Sequence, residues 1–401
     1  MPPFARLCAF WFVYMGSLGV FFPYYALYLG THARLSALET GTVLSMLPLV
    51  GLVAQPAWGQ LADRSGARGG VLALLAIGAG LAQLLLLRAS GFVELLLATA
   101  LLAVFYTTVM PMALSVSLAV VHGGGRHAFG IARATGTVGY LLLVVVFPWL
   151  LRWLDGDASA PGGAPGGLAW MFPTIALLAA LAGLIALTLP REGQLGVRAS
   201  RGAARALLRH GPMLRVMLYA FLAFFFLNGP IQLFPLFVRS LGGGVGDVSR
   251  MWVWMVLLEI PLVAWSGTLL ARLGSRGMLG LGALAGGVRW AGSAFADDLG
   301  VASVLGLLHG VAVGGLSVGG PLYVEQTAPA GLRSTGQALL ATVGVGLGGI
   351  LSNLACGVLL DRAGARVTYL ACGAGALALG LLVMRLLPHA SRAGGGTRDV
   401  A

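Results

Sequence analysis

The chain of 401 residues contains no lysine, and only 9% of its residues carry a charge. Hydrophobic residues make up 58% of the chain, and its mean hydropathy is +0.91. A soluble domain of this length needs a polar surface that such an inventory cannot supply. All 25 basic side chains are arginine, giving a net charge of +12; the missing lysine reads as codon bias rather than chemistry. The arginines sit mainly between apolar runs, not on a soluble face, which excludes nucleic acid as a partner. Cysteine is scarce too, with three in the chain. Cys8, Cys356 and Cys372 lie inside apolar runs without metal-ligand spacing and read as small hydrophobic side chains. Neither metal nor cofactor is expected. There is no P-loop and no H-E-x-x-H, and Asp297-Asp298 is the single adjacent acidic pair. An enzyme is therefore not expected.

What the chain has instead is long apolar runs, at 4–30, 38–62, 69–88, 92–121, 128–151, 168–189, 213–240, 248–272, 277–296, 300–324, 334–360 and 366–388. Only helices satisfy their own backbone at these lengths in lipid. The expected fold is an all-α membrane protein of twelve transmembrane helices in two pseudo-symmetric six-helix bundles. The first run follows a single charge, Arg6, lacks an A-x-A site, and is expected to be a retained helix. With the N-terminus in the cytoplasm, alternate segments place seventeen arginines inside and seven outside, with Arg289 within a span. The positive-inside rule then makes both termini cytoplasmic, in a plasma (inner) membrane protein. The expected bundles are 1–189 and 213–388, joined by a linker at 190–212 and followed by a disordered tail at 389–401. In the linker, Arg198, Arg201, Arg205 and Arg209 recur on one helical face, as in a basic helix lying on an anionic leaflet. The stretch from Gly156 to Gly167 reads as a flexible outer loop.

The halves echo each other. Phe22-Pro23 precedes Leu29-Gly30 at the end of the first helix, and Phe234-Pro235 precedes Leu241-Gly242 at the same spacing in the seventh. After helix two comes Gly59-Gln60-Leu61-Ala62-Asp63-Arg64-Ser65-Gly66-Ala67-Arg68. Gly267-Thr268-Leu269-Leu270-Ala271-Arg272-Leu273-Gly274-Ser275-Arg276 follows helix eight, and Leu359-Leu360-Asp361-Arg362-Ala363-Gly364-Ala365-Arg366 follows helix eleven. Three copies at equivalent helix ends fit bundles that each contain two three-helix repeats.

The segment from Gly59 to Arg68 and the twelve-helix layout resemble the major facilitator superfamily. Within it the chain looks like the branch of phenylpropionate permeases, near the lactose and nucleoside proton symporters. The supporting segments are Gly19-Val20-Phe21-Phe22-Pro23, Leu258-Glu259-Ile260, Arg289-Trp290, Leu308-His309-Gly310 and Gly336-Gln337-Ala338. The chain departs from that branch where Pro111 is followed by Met112 rather than an acid, and where Arg133 stands without a second arginine at Ile131. The resemblance implies a secondary active transporter, working by proton-coupled symport of a small organic solute through alternating access. Proton-driven efflux of drugs or metabolites is the alternative on the same fold. The partners implied are the solute, protons and the lipid bilayer, and a monomer is expected.

A charge near mid-bilayer costs several kcal/mol unless paired or hydrated. Glu259, Arg289 and His309 fall within helices eight, nine and ten, where the lactose permease resemblance implies coupling of proton and solute. A Glu259 alternately near and away from Arg289 would load and release a proton. The cavity is expected to include Tyr14, Tyr24, Tyr25 and Tyr28 of helix one, Phe225, Asn228 and Gln232 of helix seven, and Gln55 of helix two. Asn228-Gly229-Pro230 is expected to break helix seven. Gln83 and Gln337 line the path or bond between helices. A gating motif is read in Gly59, Asp63, Arg64, Gly66 and Arg68, in which Asp63 accepts from a helix N-terminus or pairs with an arginine across the halves. Arg133 is either a positive-inside anchor or an anion-binding or gating contact; Glu325 and Arg333 are expected to shape the loop or inner gate.

Overall fold

A computed structural model describes residues 2–121, 125–155, 165–189 and 202–388. Much of the predicted linker, part of the predicted outer loop and the tail at 389–401 lie outside the described residues. Of the linker helix, the described part is Ala203–Arg209, which carries Arg205 and Arg209.

Helix dominates because nothing else closes its backbone in lipid. Span 1 is Pro3–Leu27, prolonged by a π turn at Tyr28–His32; spans 2 to 4 are Ala37–Ser65, Arg68–Arg88 and Phe92–Val120. Spans 5 and 6 are Gly125–Asp155 and Met171–Leu187. Span 7 is made of Gly211–Gln232 and Phe234–Ser240, and span 10 of Leu299–Gly306 and Leu308–Thr327. The helical stretch from Arg333 to Leu386 is 54 residues long. At about 1.5 Å per residue it would be far longer than a bilayer is thick. It therefore turns back, at Gly364, where φ is 78°; before the turn is span 11 and after it span 12. Gly274, at φ 66° inside Ser266–Ser293, turns the chain from span 8, which starts at Val245, into span 9. Both turns need the left-handed backbone that glycine adopts without penalty. Twelve crossings result, so the first and last described residues, Pro2 and Pro388, lie on one face, called here the termini face.

Two predicted details shift. The break expected at Asn228-Gly229-Pro230 falls instead at Leu233. Pro230 keeps a helical φ, and neighbours satisfy the groups around it: Gly229 donates to Ser352 Oγ at 2.6 Å, and Tyr369 donates to the Pro230 carbonyl at 3.2 Å. Span 8 is interrupted at Trp265, four residues after Pro261, and span 11 runs as a π helix over Ala341–Gly348.

The pairing of spans repeats between the halves. Span 1 packs on 5 and 6, span 2 on 4, and span 3 on 4 and 6; likewise 7 packs on 11 and 12, 8 on 10, and 9 on 10 and 12. The halves meet where span 2 crosses span 11 and span 5 crosses span 8. The surface is apolar: Val53, Leu177 and Leu381 are each more than 70% exposed. Such a surface is stable against acyl chains and not against water.

Candidate functional site

Two chambers open between the helices. The larger, about 410 Å³, lies between the halves. Span 5 contributes Arg133, Thr137 and Tyr140 among others, span 8 Trp252, Val256 and Glu259, and Met15 and His309 also line it. Glu259 is half-buried on the C-terminal half, facing a chamber whose other wall carries Arg133. Among the described residues neither forms an ion pair. Arg133 instead donates to Met15 Sδ at 3.3 Å and lies 4.8 Å over the Trp11 ring. The indole Nε1 of Trp252 is buried without a hydrogen-bond partner among the described residues. An opposed guanidinium and carboxylate, aromatic rings and an idle donor make a chamber that can bind a polar organic molecule.

The smaller chamber, about 190 Å³, is lined by spans 7, 9 and 10. Arg289 lies there, 1% exposed. Its Nη1 is 2.8 Å from His309 Nδ1. Arginine only donates, so Nδ1 accepts, and the proton of the neutral ring sits on Nε2. His309 lines both chambers. Glu259 and Arg289, expected to be alternately near and away from each other, line different chambers in this state, with an imidazole lining both.

The other candidates are distributed. Asn228 lines the smaller chamber and donates to Asn353 Oδ1 at 3.2 Å. Gln55 is exposed and donates to the Thr107 carbonyl at 3.1 Å, and Gln337 donates to the Pro321 carbonyl at 2.7 Å. Gln83 is buried, and its amide has no partner among the described residues. Gln232 ends the first segment of span 7. Tyr14, Tyr24 and Tyr25 line neither chamber. Tyr14 stacks on Phe10 at 5.7 Å, Tyr24 donates to the Val144 carbonyl at 2.9 Å, and Tyr25 shares a hydrogen bond with Thr99. Tyr28 stacks on His32 and Phe225 on Phe221. The hydroxyls of Tyr24 and Tyr25 already have partners within their own half, Val144 and Thr99, as buried tyrosines need.

The repeated motif divides in an unforeseen way. Asp63 pairs with Arg68 of its own half at 2.6 Å, and Arg68 also donates to Ser115 Oγ at 3.0 Å. Arg64 is exposed, and Gly59 and Gly66 have open space where a Cβ would stand. On the opposite face the third copy does cross the halves. Asp361 accepts from the backbone N–H of Ala37 and of Leu38 at the start of span 2, both at 2.9 Å. Ser36 Oγ takes the next N–H, that of Glu39, at 3.1 Å. The three leading donors of that helix are thereby satisfied, two of them by the other half, and its positive end faces a carboxylate. Behind this cap a Cβ on Gly357 would lie 2.7 Å from the Ala37 carbonyl, and one on Gly41 would collide with the Asn353 carbonyl. Ser45 Oγ reaches the Ile350 carbonyl at 3.3 Å. The third copy is visible in the sequence, but the residue expected to cap a helix is Asp63.

Two six-helix bundles meeting around a chamber that bears Arg133, Glu259 and His309 define a membrane transporter of the major facilitator fold. Residues 4–371 match the MFS_1 like family, and the chain belongs to it. The maltose permease of Geobacillus stearothermophilus is 29% identical over 96% of this chain and 95% of its own. The transporter YwbF of Bacillus subtilis (strain 168) is 25% identical over 92% and 90%. Among solved structures, the nucleoside transporter NupG superposes with a TM-score of 0.83 at 16% identity, over 96% of this chain and 99% of its own. The D-xylose-proton symporter superposes with a TM-score of 0.67 at 17% identity, over 96% and 97%. At these identities the solved structures speak for the fold alone. The chain is a transporter and not an enzyme.

Proposed function

We propose that this chain is a proton-coupled symporter that moves a small organic solute by alternating access, acting as a monomer in the plasma (inner) membrane with both termini cytoplasmic. The observation that supports this reading is the setting of Glu259. It is the one acidic residue among the described ones that lies away from a helix end or loop, and it lines the larger chamber opposite Arg133. A carboxylate there is costly when charged and unpaired, so it takes a proton readily and gives it up when a cation or water approaches. His309, at the back of the same chamber, can donate from Nε2 to the solute. The halves touch on the face opposite the termini, which corresponds to a state open to the cytoplasm. Asp63, Arg64 and Arg68, with the small Gly59 and Gly66, would close the termini face in the alternate state.

Proteoliposomes test the proposal. With a solute panel led by maltose, xylose and nucleosides, after the named activities of the relatives, an inward proton gradient is expected to drive accumulation. Glu259→Gln is expected to abolish accumulation while solute exchange without a gradient persists. Accumulation that survives Glu259→Gln would remove Glu259 from coupling. Solute that leaves when protons enter would make the chain an exporter instead.

A further inference from the structure

The smaller chamber holds a charge that the chain does not balance. Every acidic residue among the described ones but Glu259 lies at a helix end or in a loop, and Glu259 lines the larger chamber. Arg289 is 1% exposed and forms no ion pair among the described residues. Its contacts are soft or neutral: His309 Nδ1 at 2.8 Å, Met255 Sδ at 3.4 Å, and the faces of Trp290 and Phe234 at 4.1 and 5.0 Å. Its Nε and the Trp290 Nε1, both buried, have no partner among the described residues. Cation–π contacts offset part of the cost of desolvating a guanidinium, but a buried cation without an anion remains unfavourable by several kcal/mol.

We propose that this chamber is a binding site for a small monocarboxylate anion seated on Arg289. A carboxylate matches the planar fork of a guanidinium and supplies the missing charge. The walls are apolar, with Leu227, Ile231, Val313 and Leu316 among them. They favour an alkyl tail and disfavour compact, strongly hydrated anions such as sulfate. The volume of about 190 Å³ equals about six water molecules, room for a carboxylate of the size of propionate to pentanoate. The site is built by the C-terminal half alone, so its occupant travels with that half. It stands or falls independently of proton coupling by Glu259.

Calorimetric titration of the purified, detergent-solubilised chain tests the site without any transport readout. Butyrate is expected to bind saturably; butyramide, its neutral isostere, chloride and sulfate are not. Arg289→Gln is expected to weaken butyrate by at least about 30-fold, the low end for removing one partner of a buried charge pair. Val313→Phe, which puts an aromatic ring into the chamber from its apolar wall, is expected to abolish binding and leave the unliganded melting curve in place. Equal binding of butyramide or chloride, undiminished binding by Arg289→Gln, or no saturable binding of any carboxylate from formate to hexanoate overturns the proposal. Should Arg289→Gln fail to fold, butyrate binding by Val313→Phe at wild-type strength overturns it equally.

Discussion

Span 2 meets two different worlds at its two ends. At the termini face its acidic motif residue, Asp63, is held by Arg68 of its own half, and Gly59 and Gly66 face open space. At the opposite face, its first two backbone donors are taken by Asp361 from the other half. The same sequence pattern thus serves as an internal brace at one face and as a clasp between halves at the other. A transporter that alternates needs contacts of comparable strength at both faces, each made only in one state.

The comparison can be broken in steps. The largest effect is expected from Gly357→Leu, which puts a side chain where Ala37 and Leu38 already stand. Overpacking of about 1–3 kcal/mol is expected to raise the open-to-closed ratio at the clasped face by about 5- to 150-fold. Distances between spin labels at Ser90 and Asp297, one on each half, report it. Asp361→Ala removes an exposed cap and is expected to cost the clasped state about 1 kcal/mol, with the same label pair lengthening in a smaller fraction of molecules. Asp63→Asn removes a pair that is half-exposed on the carboxylate side. About 0.5 kcal/mol of local stability should go, and the label distances at the clasped face should not move; a lengthening there would erase the distinction between the two copies. Smallest is Glu325→Gln: its pair with Arg333 at 2.8 Å is well exposed on both sides, and a melting midpoint indistinguishable from wild type is expected.

The fold was largely legible because lipid allows so few solutions. Long apolar runs had to be helices, and three copies of one motif at equivalent helix ends announced the repeat. The site was less so. Glu259, Arg289 and His309 stood out because charge inside a span is rare, but nothing in the order of residues shows which chamber a side chain enters. Trp252, Thr137 and Tyr140, which line the larger chamber, are unremarkable letters in a chain with many aromatics. Tyr24 and Tyr25 attracted notice as polar aromatics and turned out to be packed against Val144 and Thr99. Gly41 and Gly357 were hidden for the opposite reason: in a chain with 62 glycines, no single one draws attention, and only the approach of two backbones gives these two their meaning. Cys356 and Cys372, read as small apolar side chains, lie with their sulfurs 3.5 Å apart between spans 11 and 12.

Gly364 reverses the chain in a single residue, three positions after Asp361. A hairpin that short leaves no slack between its arms, so span 11 cannot swing away from span 2 without dragging span 12 along. Release of one surface carboxylate is thereby geared to a two-helix lever, and whatever grips span 12 from the lipid side gains purchase on the opening of that face.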